Sequence, residues 1–148
     1  NSNIKLHMIG RLQTNKVKLA VKLFDYIHSV DSQKLAKKIA DEQQKINKKI
    51  KIFIQVNIGN EDQKSGINKV ELGKLVDYCK QINLSVEGLM CIPPNDLDTS
   101  SYFSEMNLLN KNFNLSELSM GMSSDYLKAS ENLATYLRIG SKIFGQRS

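Results

Sequence analysis

Ile50-Lys51-Ile52-Phe53-Ile54-Gln55-Val56-Asn57-Ile58 runs into Gly59-Asn60-Glu61-Asp62, and a segment with apolar residues at Leu72, Leu75, Val76 and Cys79 follows as far as Ile82. The first stretch is short, rich in β-branched residues and closed by turn formers, which predicts a buried strand. The second repeats its apolar residues every three to four positions, which predicts an amphipathic helix, with Asn68 and Glu71 spaced for a capping box. Leu84 to Ile92 then returns to strand character and is stopped by Pro93-Pro94. A strand, a helix and a second strand in about 40 residues form a parallel unit with a right-handed crossover.

The same alternation extends in both directions. Upstream, Lys5–Ile9 predicts a strand ending at Gly10, Asn15–Leu23 a helix and Tyr26–Val30 a strand. Asp31 is placed to cap the next helix, whose apolar positions are Leu35, Ile39, Ile46 and Ile50. Downstream, a helix is expected over 97–113, with Leu108, Leu109 and Phe113 available for burial. A brief strand, Glu117–Ser119, precedes a turn at Gly121, and a helix follows from Ser124 to about Ala134. Tyr136–Ile139 is the last strand, closed by Gly140 before a helical turn from Ser141. Six consecutive βα units fit a TIM (β/α)8 barrel, and no glycine-rich nucleotide fingerprint follows any strand. Because a whole barrel takes about 250 residues and the chain has 148, six units, strands 3 to 8, are expected with the first two βα units absent. Residues 1–148 then form one partial barrel domain.

Composition narrows the function classes. No apolar run approaches the roughly 20 residues of a membrane span. Cys79 and Cys91 lack the spacing of a metal or redox pair, so no metal site is expected and two buried thiols in a reducing cytoplasm fit better. Residues 1–74 hold 15 Lys/Arg against 7 Asp/Glu, whereas 75–148 hold 6 against 8. The cluster Lys34, Lys37, Lys38, Lys45, Lys48, Lys49 and Lys51 could attract a polyanion or RNA. No aromatic residues interleave with it for base stacking, and a solvated helix face is the stronger reading.

In a barrel the ligand sits at the C-terminal ends of the strands, and the loops after the last two strands often hold phosphate. Here these are Met120-Gly121-Met122-Ser123-Ser124 and Arg138-Ile139-Gly140-Ser141. Each offers a glycine, a serine hydroxyl and the start of a helix, a combination suited to a phosphate dianion. The serines alone could equally be helix caps.

Ordered motifs extend this picture. His7-Met8-Ile9-Gly10, Leu12-Gln13-Thr14-Asn15-Lys16, Lys64-Ser65-Gly66, Gly88-Leu89-Met90, Leu118 to Asp125 and Arg138 to Gly145 together resemble the YggS/PROSC-type pyridoxal phosphate homeostasis family. The resemblance runs from His7 to Arg147. It implies a single-domain barrel of the alanine racemase N-terminal type that binds pyridoxal 5′-phosphate through a lysine aldimine, with no established catalysis. It also implies a cytoplasmic protein, monomeric when complete, serving pyridoxal-phosphate-dependent apoenzymes. By motif, Ser123 with Gly140 and Ser141 would hold the phosphate, Arg138 would face the pyridine nitrogen, and Asn57 and His7 would wall the pocket. The family's lysine, in a Val-Ser-Lys context on its first strand, matches none of the 18 lysines present and is expected before Asn1. Lys64 matches a different family position near the pocket mouth. A second departure is Asn132-Leu133-Ala134-Thr135, where the family commonly has Gly-Ser/Thr. The expected function is therefore a non-catalytic cofactor carrier, with a racemase-like enzyme as the alternative and polyanion binding a distant third.

Overall fold

A computed structural model of the chain describes residues 3–62, 65–95 and 98–148. Six strands, all parallel, lie in one sheet in sequence order: β1 (His7–Met8), β2 (Tyr26–Val30), β3 (Lys51–Gln55), β4 (Ser85–Met90), β5 (Glu117–Met122) and β6 (Tyr136–Arg138). The helices between them are α1 (Val17–Leu23, entered through a 3-10 turn at Thr14–Lys16), α2 (Gln33–Lys45), α3 (Lys69–Gln81), α4 (Ser100–Asn112) and α5 (Tyr126–Glu131). One further turn, α6 (Ser141–Phe144), follows β6. The strand order matches a barrel wall rather than a doubly wound sheet, in which the order would reverse.

The sheet curls. His7 on β1 and Tyr136 on β6 come from opposite edges, yet their ring centroids are 5.6 Å apart. The convex face is aliphatic: Ile27, Ile52, Ile54, Leu89 and Leu118 pack against Val21, Ile39, Leu72, Leu75 and Phe103 of the helices in one buried cluster. The concave face is different. Phe53 and Met90 are fully buried but lie outside that cluster. Phe53 instead stacks on His28, with centroids 4.3 Å apart.

Local chemistry shifts several boundaries. Ser32, not Asp31, caps α2, its hydroxyl accepting from the Leu35 amide at 3.1 Å. The Asp31 carboxylate is engaged elsewhere, accepting from the Gly66 amide at 3.0 Å. Asn68 precedes α3 without a side-chain cap, so the capping box does not form. On α4, Phe103, Met106 and Asn110 are buried, while Leu108 is 60% exposed because it faces away from the sheet. The expected start of that helix, Leu97, lies outside the described residues. Gly121 is not a turn but an interior residue of β5, at φ +102°, where an added Cβ would lie 2.6 Å from Ala129 Cβ.

Five of the seven lysines of the basic cluster make local contacts. Lys37 pairs with Asp41 at 2.7 Å, and Lys38 and Lys45 share Glu42 at 3.1 and 3.0 Å. Lys48 Nζ donates to the carbonyls of Val21 (2.8 Å), Lys22 (3.3 Å) and Phe24 (2.8 Å), closing the end of α1. Lys51 reaches the Tyr26 hydroxyl at 3.4 Å. These bonds favour a structural and solvated role for the run. Among the described residues no helix is long and apolar enough to cross a membrane, and no His/Cys/Asp/Glu group could hold a metal ion.

Candidate functional site

Two adjoining cavities of about 630 Å³ each open at the C-terminal ends of β5 and β6. They share Met122, Arg138, Gly140 and Arg147. One extends across the concave face to His7, His28 and Tyr136, and the other runs along Ser123, Ser124 and Ser141.

Arg138 ends β6 and is only 9% exposed. Nη2 donates to the Cys91 carbonyl at 2.7 Å, and Nη1 donates to Ser119 Oγ at 2.9 Å and the Ser119 carbonyl at 3.3 Å. Its Nε is buried and has no partner among the described residues. Burial presses the guanidinium pKa downward, yet it stays a cation at neutral pH and can only donate. A buried donor left unpaired costs free energy, so this atom is suited to an acceptor supplied from the cavity.

Ser123 gathers the second part of the site. Its Oγ accepts from the backbone amides of Gly140 (3.3 Å) and Lys142 (3.1 Å). Two N–H groups, one preceding α6 and one within it, therefore converge on one oxygen, as they would on an oxygen of an anion. The four-residue α6 adds little dipole, so the individual amides carry the attraction. A Cβ on Gly140 would meet nothing within 4 Å, which leaves open space above these donors. Ser141 lines the same cavity.

Of the residues expected from sequence, Ser123, Arg138, Gly140 and Ser141 line one cavity, and His7 lines the one that joins it. Asn57 stands apart. Its Nδ2 donates to the Glu61 carbonyl at 2.7 Å and its Oδ1 accepts from the Glu61 amide at 3.0 Å, so its amide closes the loop after β3 and lines neither cavity. Lys64 lies outside the described residues.

Sequence reasoning passed over His28 and Ser119. His28 is 2% exposed and Ser119 fully buried, and both sit on the concave face. His28 Nδ1 lies 2.8 Å from Ser119 Oγ, and His28 Nε2 lies 2.9 Å from His7 Nδ1. Burial, with His7 and Arg138 adding to it, drives the His28 pKa down to about 3. Burial also lowers that of His7, with Asp25 opposing. Both imidazoles are accordingly neutral near pH 7. The available signal was the period-two pattern in β2, which puts Tyr26 and His28 on one face and Ile27 on the other.

Residues 3–148 match the alanine racemase N-terminal domain family. Such a barrel with a cation and converging amides at its strand ends is the class that fold and site define. The chain is 40% identical to the pyridoxal phosphate homeostasis protein of Aquifex aeolicus, over 98% of this chain and 68% of that protein. It also resembles PipY of Synechococcus elongatus, solved without and with pyridoxal phosphate. For the first structure the TM-score is 0.90 at 32% identity, covering 98% of this chain and 73% of PipY. For the second it is 0.82 at 32%, covering 97% and 72%. The chain belongs to the alanine racemase N-terminal domain family and, within it, to the pyridoxal phosphate homeostasis proteins.

Proposed function

We propose that this chain binds pyridoxal 5′-phosphate in cofactor homeostasis and does so without turning over a substrate. The observation that carries the reading is the orphaned Nε of Arg138 beside a cavity lined by Ser123, Gly140 and Ser141, where Ser123 Oγ gathers the Gly140 and Lys142 amides. Ser123, Gly140 and Ser141 would hold the phosphate, and Arg138 would donate to the pyridine nitrogen. The donor set fits the group, offering hydrogen-bond donors to phosphate oxygens and a donor-only cation to a ring nitrogen that must then be an acceptor.

That pairing has a chemical consequence. The cofactor's usual chemistry is to act as an electron sink, which is strongest when its ring nitrogen is protonated. A permanent cation beside that nitrogen disfavours the proton. Arg138 thus suits retention of the cofactor better than carbanion chemistry. Non-covalent binding by this chain is part of the proposal, since none of its 18 lysines matches the family's aldimine position. His7 forms a further wall. Recipient apoenzymes and a cytoplasmic setting complete the proposal, the latter in keeping with the free thiols of Cys79 and Cys91.

The test is a titration of the chain with pyridoxal phosphate, followed by the cofactor's absorbance and by equilibrium dialysis. Saturable one-to-one binding that weakens in both Ser123→Ala and Arg138→Met is expected, with inorganic phosphate competing. Binding unchanged in both variants would refute the assignment.

A further inference from the structure

Four side chains on the concave face form one continuous line. Arg138 Nη1 donates to Ser119 Oγ at 2.9 Å, Ser119 Oγ meets His28 Nδ1 at 2.8 Å, and His28 Nε2 meets His7 Nδ1 at 2.9 Å. The members come from β6, β5, β2 and β1, so the line ties the two edges of the sheet across its hollow.

The chemistry of its end members sets the direction. Arginine has donors only, so Ser119 Oγ must accept from it. If His28 Nδ1 also carried a hydrogen, the serine would accept twice and its own O–H would need a third partner. Ser119 is fully buried, and its Oγ meets no other group among the described residues. A buried hydroxyl hydrogen without an acceptor is disfavoured. The serine therefore donates to His28 Nδ1, which puts the His28 hydrogen on Nε2. That hydrogen goes to His7 Nδ1, which leaves the His7 hydrogen on its own Nε2.

We infer that Ser119 and His28 are positioning residues that transmit a fixed hydrogen-bond direction from Arg138 to His7, so that His7 presents an Nε2–H donor to the cavity. The ligand atom that it takes is an acceptor oxygen, neutral or anionic. His7 Nε2 has no protein partner among the described residues, and the ring is held flat against Tyr26 at 4.1 Å with an interplanar angle of 9°. The low His28 pKa agrees, since a doubly protonated imidazole would abolish the direction. The role at the cavity rests on the cofactor reading, but the direction of the line does not.

The experiment is a long-range nitrogen–proton NMR spectrum of the ¹⁵N-labelled chain near neutral pH with no ligand added. The chain has two histidines, and His7→Asn assigns them by removing one set of signals. The expected result is two neutral imidazoles, each with a protonated Nε2 and an unprotonated Nδ1. Ser119→Ala should turn His28 into a tautomer mixture, and Ser119→Thr, which keeps the hydroxyl, should restore the single form. A protonated Nδ1 on His28 in the native chain overturns the inference, and this reading needs no variant to fold. An unaltered His28 tautomer in a folded Ser119→Ala also overturns it. Because no cofactor is present, failure to bind pyridoxal phosphate would sink the functional proposal and leave this result standing.

Discussion

Lowering the pH from about 7 to about 5 should weaken the fold through His28, by an amount that follows from its burial. The imidazole has an ordinary value of 6.5 and is held at about 3 in the folded chain by desolvation, His7 and Arg138. The unfolded chain thus binds a proton below about pH 6.5 that the folded chain refuses until about pH 3. Stability is full above the upper value and falls as the pH drops through the window between them. The slope approaches one proton, about 1.4 kcal/mol per pH unit. Integrated to pH 5, the loss from His28 is about 2 kcal/mol, with His7 adding in the same direction. The carboxylates of Asp25 and Glu42 also favour the fold by ionising more readily in it. Their contribution fades only at lower pH, near ordinary carboxylate values of about 4. Urea unfolding followed by far-ultraviolet circular dichroism at half-unit pH steps measures the slope. His28→Asn should remove about one proton from it. An unfolding free energy that stays flat from pH 7 to pH 5 would refute the argument that His28 is buried neutral.

Three further outcomes are expected. Ser123→Ala removes the oxygen that gathers the Gly140 and Lys142 amides and should raise the pyridoxal phosphate Kd about tenfold, read by equilibrium dialysis, which corresponds to about 1.4 kcal/mol. Gly88→Ala would place a Cβ 1.7 Å from the Glu117 carbonyl oxygen, so strands β4 and β5 must part, and a loss of about 3 kcal/mol or more is expected in urea unfolding. Cys79 and Cys91 are buried, with their thiols pushed up to about 12, so both should resist a thiol reagent at pH 8 until denaturant is added.

The alternation of strands and helices was legible because β2 and β3 carry β-branched residues, as in Lys51–Gln55, and the long helices carry apolar stripes. The two cavity-lining loops could be read for the same local reason, since Ser123, Arg138 and Gly140 lie in short runs with a recognisable composition. What escaped is long-range. The Asp31 carboxylate looks like a helix cap until the chain brings Gly66 beside it, 35 residues on. His28 reads as one polar residue in a buried strand, and its partner Ser119 is 91 residues away. Asn57 was legible as a strand-end residue but not as a loop closer, because that role is set by where the Glu61 backbone comes to rest.

Lys48 closes the last turn of α1 by directing one ammonium at three carbonyl oxygens. That geometry is tripodal: three hydrogens fan out from a single atom. A guanidinium spreads five hydrogens in a plane and cannot gather three acceptors at one apex. In a chain whose cations are mostly lysine, this is a position where lysine is a requirement of shape rather than a habit of composition. Replacing it with arginine would keep the charge and still leave a helix end uncapped.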